Sequence, residues 1–274
     1  MLPLSAESAR DDAASVKVLF LGDVVGEAGR EVVRIAVARL RQERTIDFVV
    51  ANGENAAGGS GITPKITYEL LRYGVDVITL GDHAWDQREI IPFMADEPRL
   101  LRPLNYPPNT PGSGSIVVQG NGKKLGVICV LGRTFMTPQT DNPFLAIRPA
   151  LEAMRRETPC ILVDFHSEAT SEKIAFGRYL DGQVSAVLGT HTHVQTADGT
   201  ILPGGTAYLT DVGFCGAHDS VIGRDAHSVI QRYVTLLPQR FGLATKGLQA
   251  DGVLLTLEDS SGRATALEPI QLPI

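Results

Sequence analysis

Short apolar runs alternate with longer amphipathic segments over the first two thirds of the chain, and this alternation predicts an α/β fold. The apolar runs are too short for helices and suit strands that are buried on both faces of a sheet. The predicted strands are residues 16–21, 48–51, 75–80, 161–163 and 184–188. The predicted helices are residues 30–44, 63–73, 147–157 and 171–180.

A hairpin and a β-rich C-terminal part complete the pattern. Asn121-Gly122 separates two alternating runs, and Asn-Gly is a preferred pair for a two-residue hairpin turn. Beyond residue 200 the predicted elements are short β segments, at 206–209, 233–237, 252–257 and 264–270. An α/β part followed by β segments predicts two packed sheets with helices outside, in one domain over residues 16–274. Residues 1–15 are polar and are predicted to form a flexible extension.

Composition excludes several classes of protein. The 274 residues are 43% hydrophobic and 20% charged, which is ordinary for a globular protein. The net charge of −6 argues against general nucleic-acid binding, which usually requires a basic excess or stripe. No apolar run reaches the ~18 residues of a membrane span, and the N-terminus has no hydrophobic signal core. We therefore expect a cytoplasmic protein that does not bind membranes, and the sequence leaves a homo-oligomer open.

The three cysteines show no metal-binding or redox spacing. Cys129 and Cys160 lie in apolar runs, where a thiol usually behaves as a small buried hydrophobic group. Cys215 lies between glycines, and we expect it to be accessible in a loop. A redox function is not predicted for any of them.

Two of the six histidines, His191 and His193, follow the last predicted strand of the α/β part. Residues i and i+2 of an extended chain point the same way, so the two imidazoles could serve one metal ion or two adjacent ions. Two loop histidines that bond to backbone groups are the alternative.

Polar residues follow the other predicted strands as well, and in an α/β sheet the carboxyl ends of the strands line one crevice. These residues are Asp23, Glu54, Asn55, Asp82, His83 and His166. Together with the histidine pair they exceed what one tetrahedral zinc ion needs. Mixed oxygen and imidazole ligands suit Mn, Fe, Zn or Co, and a pair of such ions favours phosphoryl chemistry.

A dinucleotide site is a weaker interpretation of the first strand end. Gly22, Gly26 and Gly29 do not fit the GxGxxG spacing, and the Asp23 carboxylate would repel a pyrophosphate. Three arginines, Arg30, Arg133 and Arg224, are candidate phosphate ligands, although a structural or solvated position is favoured for each. His218 and His227 are interpreted as surface or substrate-side residues.

Several motifs together resemble those of a known family. They are Gly22-Asp23 with Gly29-Arg30, Asn52–Ala56, Gly81–Asp86, Arg102-Pro103, Gly132–Phe135, Asp164–Lys173 and Gly189–His193. In this order they are similar to the YmdB-like branch of the calcineurin-like metallophosphoesterases, from about Val16 to Gly223. The resemblance implies a four-layer α/β/β/α sandwich with a dinuclear metal site. It also implies phosphodiesterase activity, with 2′,3′-cyclic nucleotides as the characteristic substrate.

The resemblance assigns functions to individual residues. One metal ion would be held by Asp23, Glu54, Asn55 and His193. Glu54 would bridge to a second ion, held also by Asp82, His166 and His191. His83 would be the general acid, while a metal-bridging hydroxide attacks phosphorus in line. Fe or Mn is favoured, and Zn is compatible.

Asp82 departs from the family pattern, which has Asn at this position. An ionised Asp82 changes the ligand charge from about −2 to about −3, which should tighten metal binding and weaken attraction for an anionic phosphate. Two alternatives to a cyclic-nucleotide phosphodiesterase follow. One is a metal-containing regulatory or interaction protein with weakened catalysis, and the other is a phosphomonoesterase or protein phosphatase on the same scaffold.

Overall fold

A computed structural model describes residues 15–274, which form fourteen strands and six helices. The strands are β1 (Ser15–Leu21), β2 (Asp23–Val24), β3 (Phe48–Asn52), β4 (Val77–Thr79), β5 (Leu100–Leu101), β6 (Ser115–Gly120), β7 (Lys123–Leu131), β8 (Ile161–His166), β9 (Ala186–Thr190), β10 (Thr200–Ile201), β11 (Ala207–Leu209), β12 (Phe214–Ala217), β13 (Leu248–Glu258) and β14 (Ala264–Pro273). The helices are α1 (Gly26–Glu43), α2 (Pro64–Arg72), α3 (Ile90–Phe93), α4 (Pro143–Met154), α5 (Thr170–Tyr179) and α6 (Ala226–Thr235). Of the predicted N-terminal extension, positions 1–14 lie outside the described residues, and Ser15 already belongs to β1.

The strands form two sheets. One sheet has the order β2-β12-β13-β1-β3-β4-β5, with β14 paired to β13, and the other has the order β10-β11-β9-β8-β7-β6. In the first sheet β1, β3, β4 and β5 are parallel, and in the second β7, β8, β9 and β11 are parallel. The carboxyl ends of these two parallel sets carry the predicted polar clusters.

The two sheets pack face to face, with helices on both outer sides. Alternate residues of β1 enter different layers: Val18 and Phe20 pack between the sheets, and Leu19 and Leu21 pack towards the helices. Helices α1 and α2 cover the first sheet, and α4 and α5 cover the second. The layers are therefore α/β/β/α, as predicted. Among residues 15–274, no helix is long and apolar enough to cross a membrane.

Local sequence signals explain several element boundaries. The Thr63 side chain accepts a hydrogen bond of 3.2 Å from the backbone N–H of Ile66, which caps α2. Asn121 and Gly122 have φ angles of 53° and 77° and connect β6 to β7, as the predicted hairpin requires. The predicted 30–44 helix begins earlier, at Gly26, whose φ of 60° is a conformation that glycine adopts at no steric cost.

Two predictions for the C-terminal part are wrong. Residues 233–237, predicted as a strand, belong largely to α6, because Asp225 caps a helix by accepting a bond of 2.9 Å from the Ser228 N–H. This local bond outweighs the β propensity of Tyr233 and Val234. Cys215 is not accessible in a loop: it is fully buried in β12, because that strand pairs with β13 inside the first sheet.

Candidate functional site

The ends of five strands, from both sheets, meet at one rim of the sandwich. The rim carries all eight residues that the sequence suggested: Asp23, Glu54, Asn55, Asp82, His83, His166, His191 and His193. Seven of them form two groups of donor atoms, and His83 lies beside these groups. Their function as metal ligands stays a prediction.

The first group consists of Glu54, Asp82, His166 and His191, whose candidate ligand atoms all lie within 4.8 Å of one another. His166 Nε2 is 3.0 Å from a Glu54 oxygen and 3.1 Å from Asp82 Oδ1. His191 Nδ1 is 3.1 Å from His166 Nε2 and 3.4 Å from Asp82 Oδ1. Four side chains thus present their donor atoms to one small volume.

The second group consists of Asp23, Asn55 and His193. His193 Nε2 is 3.7 Å from Asp23 Oδ1 and 3.3 Å from the Asn55 amide nitrogen. The same amide donates to Glu54 Oε1 over 3.2 Å. Glu54 therefore lies between the two groups, in contact with His166 of the first and with Asn55 of the second.

The histidine pair reaches the rim in a way that the sequence did not predict. His191 and His193 have φ angles of 107° and 61°, so the chain is not extended there. As a result the two imidazoles enter different groups. Positive φ in residues other than glycine costs about 1–3 kcal/mol each and is concentrated at functional sites. His193 also bonds to backbone, with Nδ1 3.0 Å from the Ile222 carbonyl oxygen, as the alternative interpretation proposed.

The charges of the rim explain its pKa values. Burial alone would lower the pKa of His166, but the Glu54, Asp82 and Asp23 carboxylates raise it well above its ordinary value. Burial would raise the pKa values of Asp23 and Asp82, but contacts with the histidines lower both. The Asp23 and Asp82 carboxylates are therefore anionic, and Asp82 brings the additional negative charge inferred from the sequence.

The donor set fits divalent transition metal ions. Carboxylate oxygens, an amide and three imidazole nitrogens converge without a thiolate, which suits Mn, Fe, Co or Zn. Gly81 permits this convergence, because a Cβ atom at position 81 would lie 2.3 Å from a Glu54 oxygen and 2.2 Å from the His166 ring. No local pattern around Gly81 predicts this close approach.

A buried hydrogen-bond network that was not predicted from the sequence orients His166. Thr190 Oγ1 is 2.8 Å from His166 Nδ1 and donates to Asp164 over 2.7 Å. Because Nδ1 is engaged there, Nε2 is the nitrogen that faces the other donors. Asn52 also donates to Asp164, over 3.1 Å, and burial raises the pKa of Asp164 to about 6. The available signal was the position of Asp164 and Thr190 near strand ends.

A buried ion pair supports the histidine loop. Lys173 Nζ lies 2.6 Å from Asp211 Oδ2 and donates to the Thr190 carbonyl over 2.8 Å. Asp211 accepts a bond of 3.0 Å from the N–H of Thr192, which lies between the two histidines. Helix α5 thereby holds the loop in its strained conformation.

His83 borders the metal-ligand candidates without joining them. Its backbone N–H donates to Glu54 over 3.2 Å, and its Nδ1 lies 2.8 Å from Asp86 Oδ2. Ser60 also contacts Asp86 and lies 3.3 Å from the same ring nitrogen. These contacts engage Nδ1 and leave Nε2 as the nitrogen available to a ligand.

A cavity of about 360 Å³ opens over the rim and distinguishes the three candidate arginines. Arg224 lines this cavity together with His83, His191 and His193. Arg30 instead bonds to Glu69 and to the Ala56 carbonyl, so it is structural, as favoured from the sequence. Arg133 is exposed and does not line the cavity.

The remaining two histidines lie outside both groups. His227 is exposed, as predicted. His218 is half-buried, and its ring stacks on Phe214 with 4.1 Å between ring centroids.

Comparisons with known proteins identify the family of the chain. The family model described as "YmdB-like protein" matches residues 19–270. The chain is 48% identical to a 2′,3′-cyclic-nucleotide 2′-phosphodiesterase of Bacillus subtilis, over 93% of this chain and 96% of that protein. It is similar to the crystal structure of a novel phosphatase from Mycoplasma pneumoniae, with a TM-score of 0.88, 35% identity and coverage of 94% of both chains.

A more distant match concerns the fold alone. A 5′-nucleotidase precursor from Thermus thermophilus shares 13% identity at a TM-score of 0.56, covering 95% of this chain and 54% of that chain. The likeness confirms the predicted metallophosphoesterase type of fold. The family model spans nearly all described residues, and the chain therefore belongs to the YmdB-like protein family.

Proposed function

We propose that the chain is a metal-dependent phosphodiesterase that hydrolyses small cyclic or diester phosphates, with 2′,3′-cyclic nucleotides as its main substrates. The observation that carries the proposal is the pair of donor groups that share Glu54 beneath one open cavity. The activity in the name of the Bacillus subtilis relative supports the substrate class. The proposal includes the cytoplasmic location expected from the sequence.

The seven residues of the two groups would hold two divalent ions, Fe or Mn in the first instance and Zn as the next candidate. Asp23, Asn55 and His193 would hold one, Asp82, His166 and His191 the other, and Glu54 would bridge them. Bound there, such ions supply Lewis acidity and an activated water for attack on phosphorus.

His83 would act as the general acid. Its contact with Asp86 fixes the ring, and its position on the cavity wall suits proton donation to the leaving ribose oxygen. Arg224 would contact the phosphate oxygens. Burial lowers the pKa of the Arg224 guanidinium, but an arginine side chain keeps its positive charge in proteins. This charge would offset part of the negative charge that Asp82 adds.

The test couples elemental analysis of the purified protein to initial rates on three substrates: 2′,3′-cyclic AMP, bis-p-nitrophenyl phosphate and p-nitrophenyl phosphate. We expect two transition metal ions per chain and the highest kcat/KM on the cyclic nucleotide. A chain without bound metal, or one inactive on both diesters when loaded with metal, would contradict the proposal.

Two alternative functions, a phosphomonoesterase and a regulatory protein, can be tested by related measurements. The Mycoplasma pneumoniae structure is called a phosphatase, and a preference for p-nitrophenyl phosphate would favour a phosphomonoesterase. The regulatory alternative depends on Asp82, whose Oδ1 lies 3.1 Å from His166 Nε2, within the first group. A large gain of hydrolysis in Asp82→Asn would favour an active site whose catalysis the aspartate has weakened.

A further inference from the structure

A second cavity, of about 470 Å³, adjoins the one over the rim. Its lining residues come from the turn before α6, from α6 itself and from the segment that follows. They are Val221, Ile222, Arg224, Val229, Arg232, Tyr233, Leu236 and Phe241. Ile222 and Arg224 line both cavities, so the two spaces share one wall.

The chemistry of the second cavity differs from that of the rim. Tyr233 and Phe241 contribute aromatic surface, and their exposed fractions are 78% and 42%. Arg224 and Arg232 also line this cavity, and a guanidinium group carries several hydrogen-bond donors, of which Arg224 uses one on the Gly59 carbonyl. Aromatic faces with polar donors beside them suit a flat heterocycle with acceptor atoms at its edge.

The shared wall is strained. Ile222 has a φ of 48°, which is a marked outlier for a β-branched residue and indicates a functional constraint. Its carbonyl oxygen lies 3.0 Å from His193 Nδ1, while its side chain is half exposed between the cavities. The Gly223 carbonyl accepts a bond of 3.0 Å from the Ala244 N–H, which ties the turn to the segment after α6. One strained residue therefore links a candidate metal ligand to the second cavity.

We propose that the second cavity binds the base of the nucleotide substrate while its phosphate lies over the rim. This inference rests on the proposed function. Tyr233 would stack on the base, and Arg232 would donate to acceptor atoms at its edge. We assign the base to this apolar surface because the second cavity is continuous with the cavity over the rim through Ile222 and Arg224.

The first test compares 2′,3′-cyclic AMP with glycerol 1,2-cyclic phosphate, which has a five-membered cyclic phosphate and no base. We expect Tyr233→Ala to lower kcat/KM about 10-fold on the nucleotide, mainly through KM, since base stacking contributes on that scale. Activity on glycerol 1,2-cyclic phosphate should not change. Ile230→Ala is the matched control, because Ile230 is also an exposed apolar residue of α6 but does not line the cavity. Equal losses on both substrates, or no loss on either, would overturn the proposal.

The second test measures adenosine binding to the purified protein by titration calorimetry. Adenosine has no phosphate to be hydrolysed, so this result is independent of the proposed function. We expect wild type and Ile230→Ala to bind it and Tyr233→Ala to bind it at least about 10-fold more weakly. If adenosine binding depends on Tyr233 but the protein hydrolyses none of the substrates, the proposed reaction is wrong and the base site is still supported.

The same variants distinguish a competing occupant, a second copy of the chain. If a second copy of the chain covers the cavity, sedimentation velocity should show an oligomer for the wild type and a monomer for Tyr233→Ala. Absence of adenosine binding in the wild type, with or without such an oligomer, overturns the assignment to the base.

Discussion

The rim and the surface around α6 lie next to each other and differ in almost every physical property. The rim is buried, charged and strained: Glu54 and His166 are at most 1% exposed, and both histidines of the loop have positive φ. The α6 surface is exposed and apolar, with Val234 and Leu236 more than 70% exposed. Only the turn around Ile222 belongs to both.

Under the proposed function, this difference would separate the reaction at the phosphate from the binding of the base. Asp23 and Glu54 are buried and Asp82 is half-buried, and carboxylates so close together are stabilised by cations, which a rigid set of donors would place precisely. The base of a nucleotide would bind through apolar contact area and would need less exact positioning, and the exposed helix α6 provides such an area. The contrast therefore predicts that changes at the rim affect every substrate, whereas changes on α6 affect selectivity. The following variants test it, from the largest expected effect to the smallest.

His191→Ala should lose bound metal, because it removes one of four converging side chains of the first donor group. Hydrolysis should then fall by about 10³-fold or more on every substrate, since a metal ion contributes several kcal/mol of charge stabilisation. Elemental analysis and initial rates measure both effects. His227→Ala, which changes an exposed histidine outside both groups, should keep its metal. Full metal content in His191→Ala would exclude His191 as a ligand.

Lys173→Met should lower the free energy of unfolding by about 3–5 kcal/mol, because it leaves the buried Asp211 carboxylate without its cation. Urea unfolding followed by circular dichroism measures this loss. On the α6 surface, Ile230→Ala should change the same quantity by less than about 0.5 kcal/mol. Similar values for the two variants would contradict the contrast in rigidity.

His83→Ala should keep its metal and lose hydrolysis by ~10²-fold or more, the usual scale for a general acid. Its ring contacts Asp86 and Ser60, so no candidate metal ligand loses a side-chain partner in the variant. The measurements are metal content and kcat on the cyclic nucleotide. Unchanged kcat would show that another group donates the proton.

Arg224→Gln should lower kcat/KM about 10-fold on the cyclic nucleotide and on bis-p-nitrophenyl phosphate alike, because the lost charge would act on the phosphate that both contain. This common loss would distinguish Arg224 from Tyr233, for which the loss should depend on the base. Arg133→Gln is the matched control, since Arg133 is exposed and does not line the cavity. A loss confined to the nucleotide would place Arg224 with the base instead.

Local signals predicted much of the fold. Residues 16–21 alternate between the two core layers as a buried strand does, Thr63 caps its helix, and Asn121-Gly122 makes its turn. These features depend on neighbours within a few positions. The same reasoning was wrong for residues 233–237, where the Asp225 cap outweighed strand propensity.

The sequence alone indicated which side chains could form the site, because each candidate lies at or after the end of a strand and strand ends can be read from short apolar runs. Only the tertiary structure decided how they are shared. It placed His191 and His193 in separate groups through left-handed backbone, left Arg224 as the one of the three candidate arginines on the cavity, and set a second cavity beside the rim. Contacts such as that between Asn52 and Asp164, 112 positions apart, depend on how two sheets pack, and no local pattern encodes that packing.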